Sequence, residues 1–136
     1  MLTITPLLSR RNLAPKQRVE ILEQSARVAR IATRQPSLDV RTADRWSQRV
    51  AAFAEGGRAV AVDMSDVRSI DSAGLGAIVA AVKLTRDAGG DVALYAVTPD
   101  VRVLLELVRL HQFVDIYNDA AEVIRSGFGE TEGAVR

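Results

Sequence analysis

Two short apolar runs constrain this chain more than any other feature. Ala59-Val60-Ala61-Val62 and Val92-Ala93-Leu94-Tyr95-Ala96-Val97 hold no charge, and each lies one residue beyond a glycine pair, Gly56-Gly57 and Gly89-Gly90. A strand with one wet face alternates apolar and polar residues. A short run without alternation belongs to a strand covered on both faces, which is the situation inside a parallel sheet.

The segments around these runs have helical spacing. Ala43, Trp46, Val50 and Phe53 mark a first helix that starts near residues 40–43, is capped by Asp39 or Thr42 and ends at Gly56-Gly57. Residues 72–88 place Leu75, Ile78, Val79 and Val82 at i, i+3, i+4 and i+7. Thr98-Pro99-Asp100 supplies a cap, a proline suited to the first helical position and a first-turn acid for a third helix, with Val101, Leu104, Leu105 and Val108 on one face. Upstream, Arg18-Val19-Glu20-Ile21-Leu22-Glu23 and Arg27-Val28-Ala29-Arg30-Ile31-Ala32 flank Gln24-Ser25 as a hairpin, and Gln35-Pro36-Ser37 breaks the second strand. A strand-like piece at 113–117 leads to a last helix capped at Asn118 or Asp119 and running to about Ser126.

The order is β-β-α-β-α-β-α-(β)-α. It predicts a single α/β domain: a mixed, mostly parallel sheet of four to five strands, with an N-terminal antiparallel hairpin and about four helices packed on it. Its expected core is Val60, Val62, Leu94 and Val97 under Leu75, Ile78, Val79, Val82, Leu104 and Leu105. With 136 residues there is room for one core. Residues 1–16, with Pro6, Pro15 and Arg10-Arg11, read as an N-terminal extension, 17–127 as the domain, and 128–136 as a mobile tail.

Composition removes several functions. The chain has no cysteine and a single histidine, His111, so thiol chemistry and cysteine- or histidine-rich metal sites are excluded. His111 reads as a helix-end residue beside the dipole, and Trp46 as core. Residues 1–49 carry a net +6 and residues 50–136 a net −5, yet the basic half disperses its arginines (Arg27, Arg30, Arg34, Arg41, Arg45, Arg49) without a recognition motif. Nucleic acid is therefore not the expected partner. No apolar stretch approaches the ~20 residues of a membrane span, and the N-terminus lacks a signal-peptide pattern, so a cytoplasmic protein without membrane insertion is expected.

One segment concentrates candidate chemistry: Val62-Asp63-Met64-Ser65-Asp66-Val67-Arg68-Ser69-Ile70-Asp71-Ser72-Ala73-Gly74-Leu75-Gly76. A buried strand ends in acids, and a helix opens with Asp-Ser-x-Gly-Leu-Gly. Ser72 falls at or beside the N-cap, where a hydroxyl accepts from free first-turn N–H groups and the dipole favours an anion. Gly74 and Gly76 leave the turn bare for close approach by another molecule. Enzymatic readings fail on counting: no lysine follows Gly76 until Lys83, Val79 stands where a dinucleotide fingerprint needs glycine, and a serine hydrolase lacks Gly-x-Ser-x-Gly. Asp63, Asp66 and Asp71 are candidate Mg²⁺ ligands, with loop and cap chemistry the commoner role for such residues. Ser72 reads foremost as a cap, with modification or ligand contact as the alternatives.

The chain resembles the STAS domain of bacterial anti-sigma factor antagonists. The resemblance rests on Val60-Ala61-Val62-Asp63-Met64-Ser65, Ile70-Asp71-Ser72-Ala73-Gly74-Leu75-Gly76, Ala88-Gly89-Gly90-Asp91-Val92-Ala93-Leu94, Val101-Arg102-Val103-Leu104-Leu105-Glu106-Leu107 and Leu38-Asp39, over about residues 18–126. Two features depart from the family pattern: Pro36 stands where glycine is usual, and about sixteen residues precede the first strand. The resemblance implies a non-enzymatic protein without cofactor that binds an anti-sigma factor serine kinase and is inactivated by phosphorylation at Ser72, regulating transcription indirectly. It implies a partner-binding surface of Asp39, Asp71, Ser72, Ala73, Gly74, Leu75 and Gly76, with a phosphatase and a weak homodimer as further candidates. The alternative is a constitutive STAS interaction module in a stressosome-like or lipid-transport complex.

Overall fold

The structure, a computed structural model, describes residues 19–130. The chain opens with strands β1 (Val19–Gln24) and β2 (Val28–Thr33), a two-residue strand β3 (Ser37–Leu38) and helix α1 (Ala43–Ala52). It continues through β4 (Ala59–Asp63), a second two-residue strand β5 (Ser69–Ile70) and α2 (Ser72–Asp87). Then come β6 (Asp91–Tyr95), α3 (Pro99–Leu107), a 3-10 turn (Leu110–Gln112), β7 (Asp115–Tyr117) and α4 (Ala120–Ser126). Five strands form one sheet in the order β1-β2-β4-β6-β7, antiparallel between β1 and β2 and parallel elsewhere. This is the α/β architecture expected from the two apolar runs.

The runs look uniform in sequence, but the sheet divides them by size. Pairing sets Ile31, Val62 and Leu94 in one row and Arg30, Ala61 and Ala93 in the next, so they face opposite sides. Large branched residues, Ile31, Val60, Val62, Val92 and Leu94, meet Trp46 and Val50 of α1, Ile78 and Val82 of α2, and Val101 and Leu105 of α3 in the main core. On the opposite face Ala59, Ala61, Ala93 and Tyr95 pack with Val123 of α4 and Phe128. Small side chains there let a short helix cover the sheet closely.

Leu104 was expected in the core but is 36% exposed, with Val108 at 50%; α3 seats only Val101 and Leu105. A nine-residue helix resting on one i, i+4 seam keeps its flanks in water. Leu75, Val79 and Val97 lie partly buried against the core. The tail expected from residue 128 starts too early: Phe128 is 6% exposed and meets the Tyr117 ring edge-on at 6.3 Å, and Arg27 Nη1 donates to the Glu130 carbonyl at 2.9 Å. Gly127, in the left-handed region at φ 75°, ends α4 and turns the chain back to the sheet. The remaining tail, 131–136, and the extension, 1–16, lie outside the described residues.

His111 sits exposed in the 3-10 turn rather than on a helix end, because Arg109 at φ 63° has already broken the chain away from α3. Trp46 is core as expected, 2% exposed, with its indole N–H donating to Thr33 Oγ1 at 2.9 Å.

Candidate functional site

Asp71 and Ser72 are positioned by a pairing that the spacing of apolar residues does not reveal. Ser37-Leu38 and Ser69-Ile70 form a separate two-stranded parallel ladder, Ser37 opposite Ser69 and Leu38 opposite Ile70. Leu38 and Ile70 are both buried and anchor it in the core. Pro36 lacks an N–H, yet its carbonyl opens the ladder by accepting from Arg68 N at 2.7 Å and Ser69 N at 3.2 Å. The Leu38 carbonyl closes it, accepting from Asp71 N at 3.2 Å.

The start of α2 hangs on that last bond. Asp71 is the N-cap: its backbone is extended and its Oδ1 accepts from Gly74 N at 2.9 Å. Ser72 therefore does not cap, as the sequence suggested; it is the first helical residue, exposed, and its hydroxyl bonds to no described residue. The aspartate takes the cap because its carboxylate stands one position earlier, where an extended backbone aims it at the open N–H groups.

The two glycines play different parts. Gly74 is buried, and a Cβ there would run into the Leu38 carbonyl oxygen and lie 2.8 Å from Ile70 Cγ2. Its bare face is filled by the chain's own strand β3, so it is not open to a partner. Gly76 is exposed with nothing within 4 Å of a Cβ position. Ala73 and Leu75 are half-buried against the core.

Asp39 follows β3 as Asp71 follows β5. Its Oδ1 accepts from Arg41 N at 3.0 Å, its Oδ2 accepts from Ser37 Oγ at 3.3 Å, and the Arg41 guanidinium lies at 3.5 Å. The Arg41 N–H holds the carboxyl below its ordinary pKa, helped by the charge of Arg41 and the Ser37 hydroxyl and opposed by partial desolvation. The Asp39 carbonyl accepts from Thr42 N and Ala43 N, and Thr42 makes no side-chain cap bond to α1. Asp39, Asp71 and Ser72 are thus gathered at the ends of two paired strands.

Asp63, Asp66 and Asp71 do not form a metal site. Asp63 turns its carboxylate to Ser65 N at 2.8 Å, Asp66 faces Arg34 at 3.5 Å and Asp71 caps α2. Among the described residues no group of three His, Asp or Glu side chains is arranged to hold a metal ion.

One feature is hidden in the sequence. Arg41, Arg45 and Arg49 count as dispersed along the chain, but Arg45 and Arg49 fall at i and i+4 on one face of α1, and Arg41 lies in the turn that leads into it. They line a cleft of about 370 Å³ together with Gln35-Pro36-Ser37, Asp39 and Trp46. The four-residue spacing was the available signal.

An open α/β sheet with an antiparallel first hairpin, carrying a free serine at a helix start beside a short accessory ladder, defines a small class of domains. The chain belongs to the STAS domain family, whose model matches residues 21–123. Among solved structures it is similar to a Thermotoga maritima protein assigned as an anti-sigma factor antagonist, with 27% identity and a TM-score of 0.61 over 71% of this chain and 86% of that one. The anti-sigma factor antagonist SpoIIAA in its unphosphorylated form shares the fold at 16% identity, with a TM-score of 0.56 over 79% of this chain and 96% of that one. So does part of the murine anion transporter Slc26a9, at 15% identity and TM-score 0.64, where the match covers 76% of this chain but 18% of the transporter. Among curated proteins no sequence matches the chain.

Proposed function

We propose that this protein is an anti-sigma factor antagonist that binds an anti-sigma factor serine kinase in the cytoplasm and is released when Ser72 is phosphorylated. The activity is binding rather than catalysis, and a phosphatase would reset it. The observation that carries the reading is the state of Ser72: exposed, first in α2, its hydroxyl unbonded because Asp71 has taken the cap. A kinase reaching Ser72 need not break a cap. The added phosphate, about −1.5 to −2 in charge, is tolerated by the helix dipole, while an interface closed over Ser72 would have to bury it next to the Asp71 carboxylate. Likeness to proteins named as anti-sigma factor antagonists supports the same reading. No helix of the described residues is long and apolar enough to cross a membrane.

The test is incubation with a candidate anti-sigma kinase and ATP followed by intact-mass spectrometry, paired with binding titrations. One phosphate on Ser72 is expected, none on Ser65 or Ser69; Ser72→Ala stays bound in the presence of ATP and Ser72→Asp binds far more weakly. Wild-type affinity in Ser72→Asp overturns the switch.

A second reading, a constitutive STAS module in a larger complex, is favoured by the flank of α3. Val103, Leu107 and Val108 are 56%, 72% and 50% exposed, a row of aliphatic residues suited to permanent docking. Under that reading Leu107→Arg abolishes partner binding and Ser72→Asp does not.

A further inference from the structure

We propose that the cleft between α1 and the β3 segment is a binding site for a small organic molecule carrying a phosphate or carboxylate group, held by Arg41, Arg45 and Arg49. The proposal does not rest on the kinase reading. Three arginines line one cavity of about 370 Å³, within the usual size range for a small-ligand pocket. Only one of them has an anionic neighbour, Arg41 with Asp39 at 3.5 Å. Arg45 and Arg49 form no ion pair with any described residue. The cavity therefore carries more positive charge than its own carboxylate balances.

A second observation points at the missing acceptor. Nε of Arg49 is shielded from solvent and has no hydrogen-bond partner among the described residues. A cationic N–H withdrawn from water without an acceptor is unfavourable, and such groups are nearly always satisfied in folded proteins. No acceptor of a described residue takes this N–H, and the donors around the cleft, spent on other partners, cannot serve as one. Gln35 Nε2 donates to the Ser37 carbonyl at 2.9 Å, Ser37 Oγ donates to Asp39, and the Trp46 indole N–H is spent on Thr33. An oxyanion entering the cleft supplies acceptors to a planar donor fork built for two parallel bonds. The pyrrolidine of Pro36, exposed at the cleft, offers apolar surface for the organic part, with the buried Trp46 behind the wall.

Trp46 also provides the readout, since it is the only tryptophan in the chain and lines the cavity. The experiment titrates the full chain with ribose 5-phosphate, inorganic phosphate, citrate and hexaglutamate, following tryptophan fluorescence at ionic strength held constant with sodium chloride. Saturable quenching or enhancement with a Kd below about 1 mM is expected for ribose 5-phosphate or citrate. Tighter binding of ribose 5-phosphate than of inorganic phosphate assigns the site to an organic phosphate; tighter binding of citrate assigns it to a carboxylate. Arg45→Gln, at an exposed position, folds as judged by circular dichroism and weakens that binding at least tenfold, as does Arg49→Gln. Arg125→Gln on α4 leaves it unchanged. The proposal is overturned if sodium chloride alone reproduces the signal, if Arg45→Gln binds as the wild type does, if inorganic phosphate binds as tightly as both organic anions, or if only hexaglutamate saturates, which makes the cleft a protein-docking surface.

Discussion

Ser37-Leu38-Asp39 and Ser69-Ile70-Asp71 are the same three-residue pattern, polar, aliphatic, acid, laid side by side in register. Both aliphatic residues are buried, and both aspartates stand where a short strand gives way to a helix. The outcomes differ because the helices begin at different distances downstream. After Asp71 the helix starts at once, so the carboxylate reaches Gly74 N three residues on and caps it. After Asp39 three residues intervene, and the carboxylate turns to Arg41 N two residues on while its carbonyl takes the first N–H groups of α1. One aspartate stabilises a helix directly and the other stabilises the turn that feeds one. The neighbours differ too: small uncharged residues, Ala73 and Gly74, follow Ser72, and arginines line the entry to α1. One short accessory ladder therefore carries a bare hydroxyl on one arm and a basic cleft on the other.

The largest expected effect tests how tightly the arms are joined. Gly74→Ala puts a methyl group against the Leu38 backbone, which cannot swing away as a side-chain end can, and destabilisation of about 1–3 kcal/mol or more is expected by chemical denaturation. Gly76→Ala, two residues on in open space, is expected to stabilise by roughly 0.5–1 kcal/mol through helix propensity. If the two alanines cost the same, the ladder does not hold α2 against β3.

Removing the cap is a smaller perturbation. Asp71→Ala is expected to cost about 1 kcal/mol and to speed exchange of the Gly74 amide, measured by hydrogen exchange. Thr42→Ala at the start of α1 removes a hydroxyl that accepts from Asp39 N at 3.1 Å but caps no helical N–H, so faster exchange should appear at Asp39 rather than within α1.

The turn at Asp39 can also be tested by pH. The Asp39 carboxyl is held below its ordinary value of 3.8 by the Arg41 N–H and guanidinium and by Ser37. A carboxyl with a depressed folded-state pKa stabilises the fold above its unfolded value and loses that contribution as pH falls through the folded value. Stability should therefore decline below about pH 4, and Asp39→Asn should flatten that decline while leaving the curve near neutrality parallel to the wild type. An unchanged acid limb in Asp39→Asn would remove Asp39 from the turn's energetics.

The smallest expected effect is the sharpest test of the site. Ser72→Ala should alter stability by less than about 0.5 kcal/mol, because the hydroxyl is exposed and unbonded while Asp71 does the capping. A loss near 1 kcal/mol would mean Ser72 shares the cap, and the two arms would be alike after all.

Much of the fold was written in the one-dimensional pattern. Runs without alternation announced β4 and β6, Gly89-Gly90 marked where α2 stops, and Thr98-Pro99 opened α3, because backbone preference and burial periodicity act locally; α1 instead ends at Ala52, before the turn that leads to Gly56-Gly57. The Asp-Ser-x-Gly-Leu-Gly segment located the site to within a turn. Which of the two side chains caps, and which is left free, depends on whether the chain at position 71 is extended, and that is set by a bond from Leu38, more than thirty residues earlier. Gly74 reads in sequence as an opening for a partner, yet its space is occupied by that same strand. Leu104 has the spacing of a core residue, but spacing specifies only a stripe on a helix, and the angle at which α3 rests on its neighbours decided that Val101 and Leu105 alone are covered. Arg41, Arg45 and Arg49 were visible as residues and invisible as a cleft until β3 was folded against α1. Local chemistry determined which elements form; contacts between residues far apart in the chain determined which side chains remain free to act.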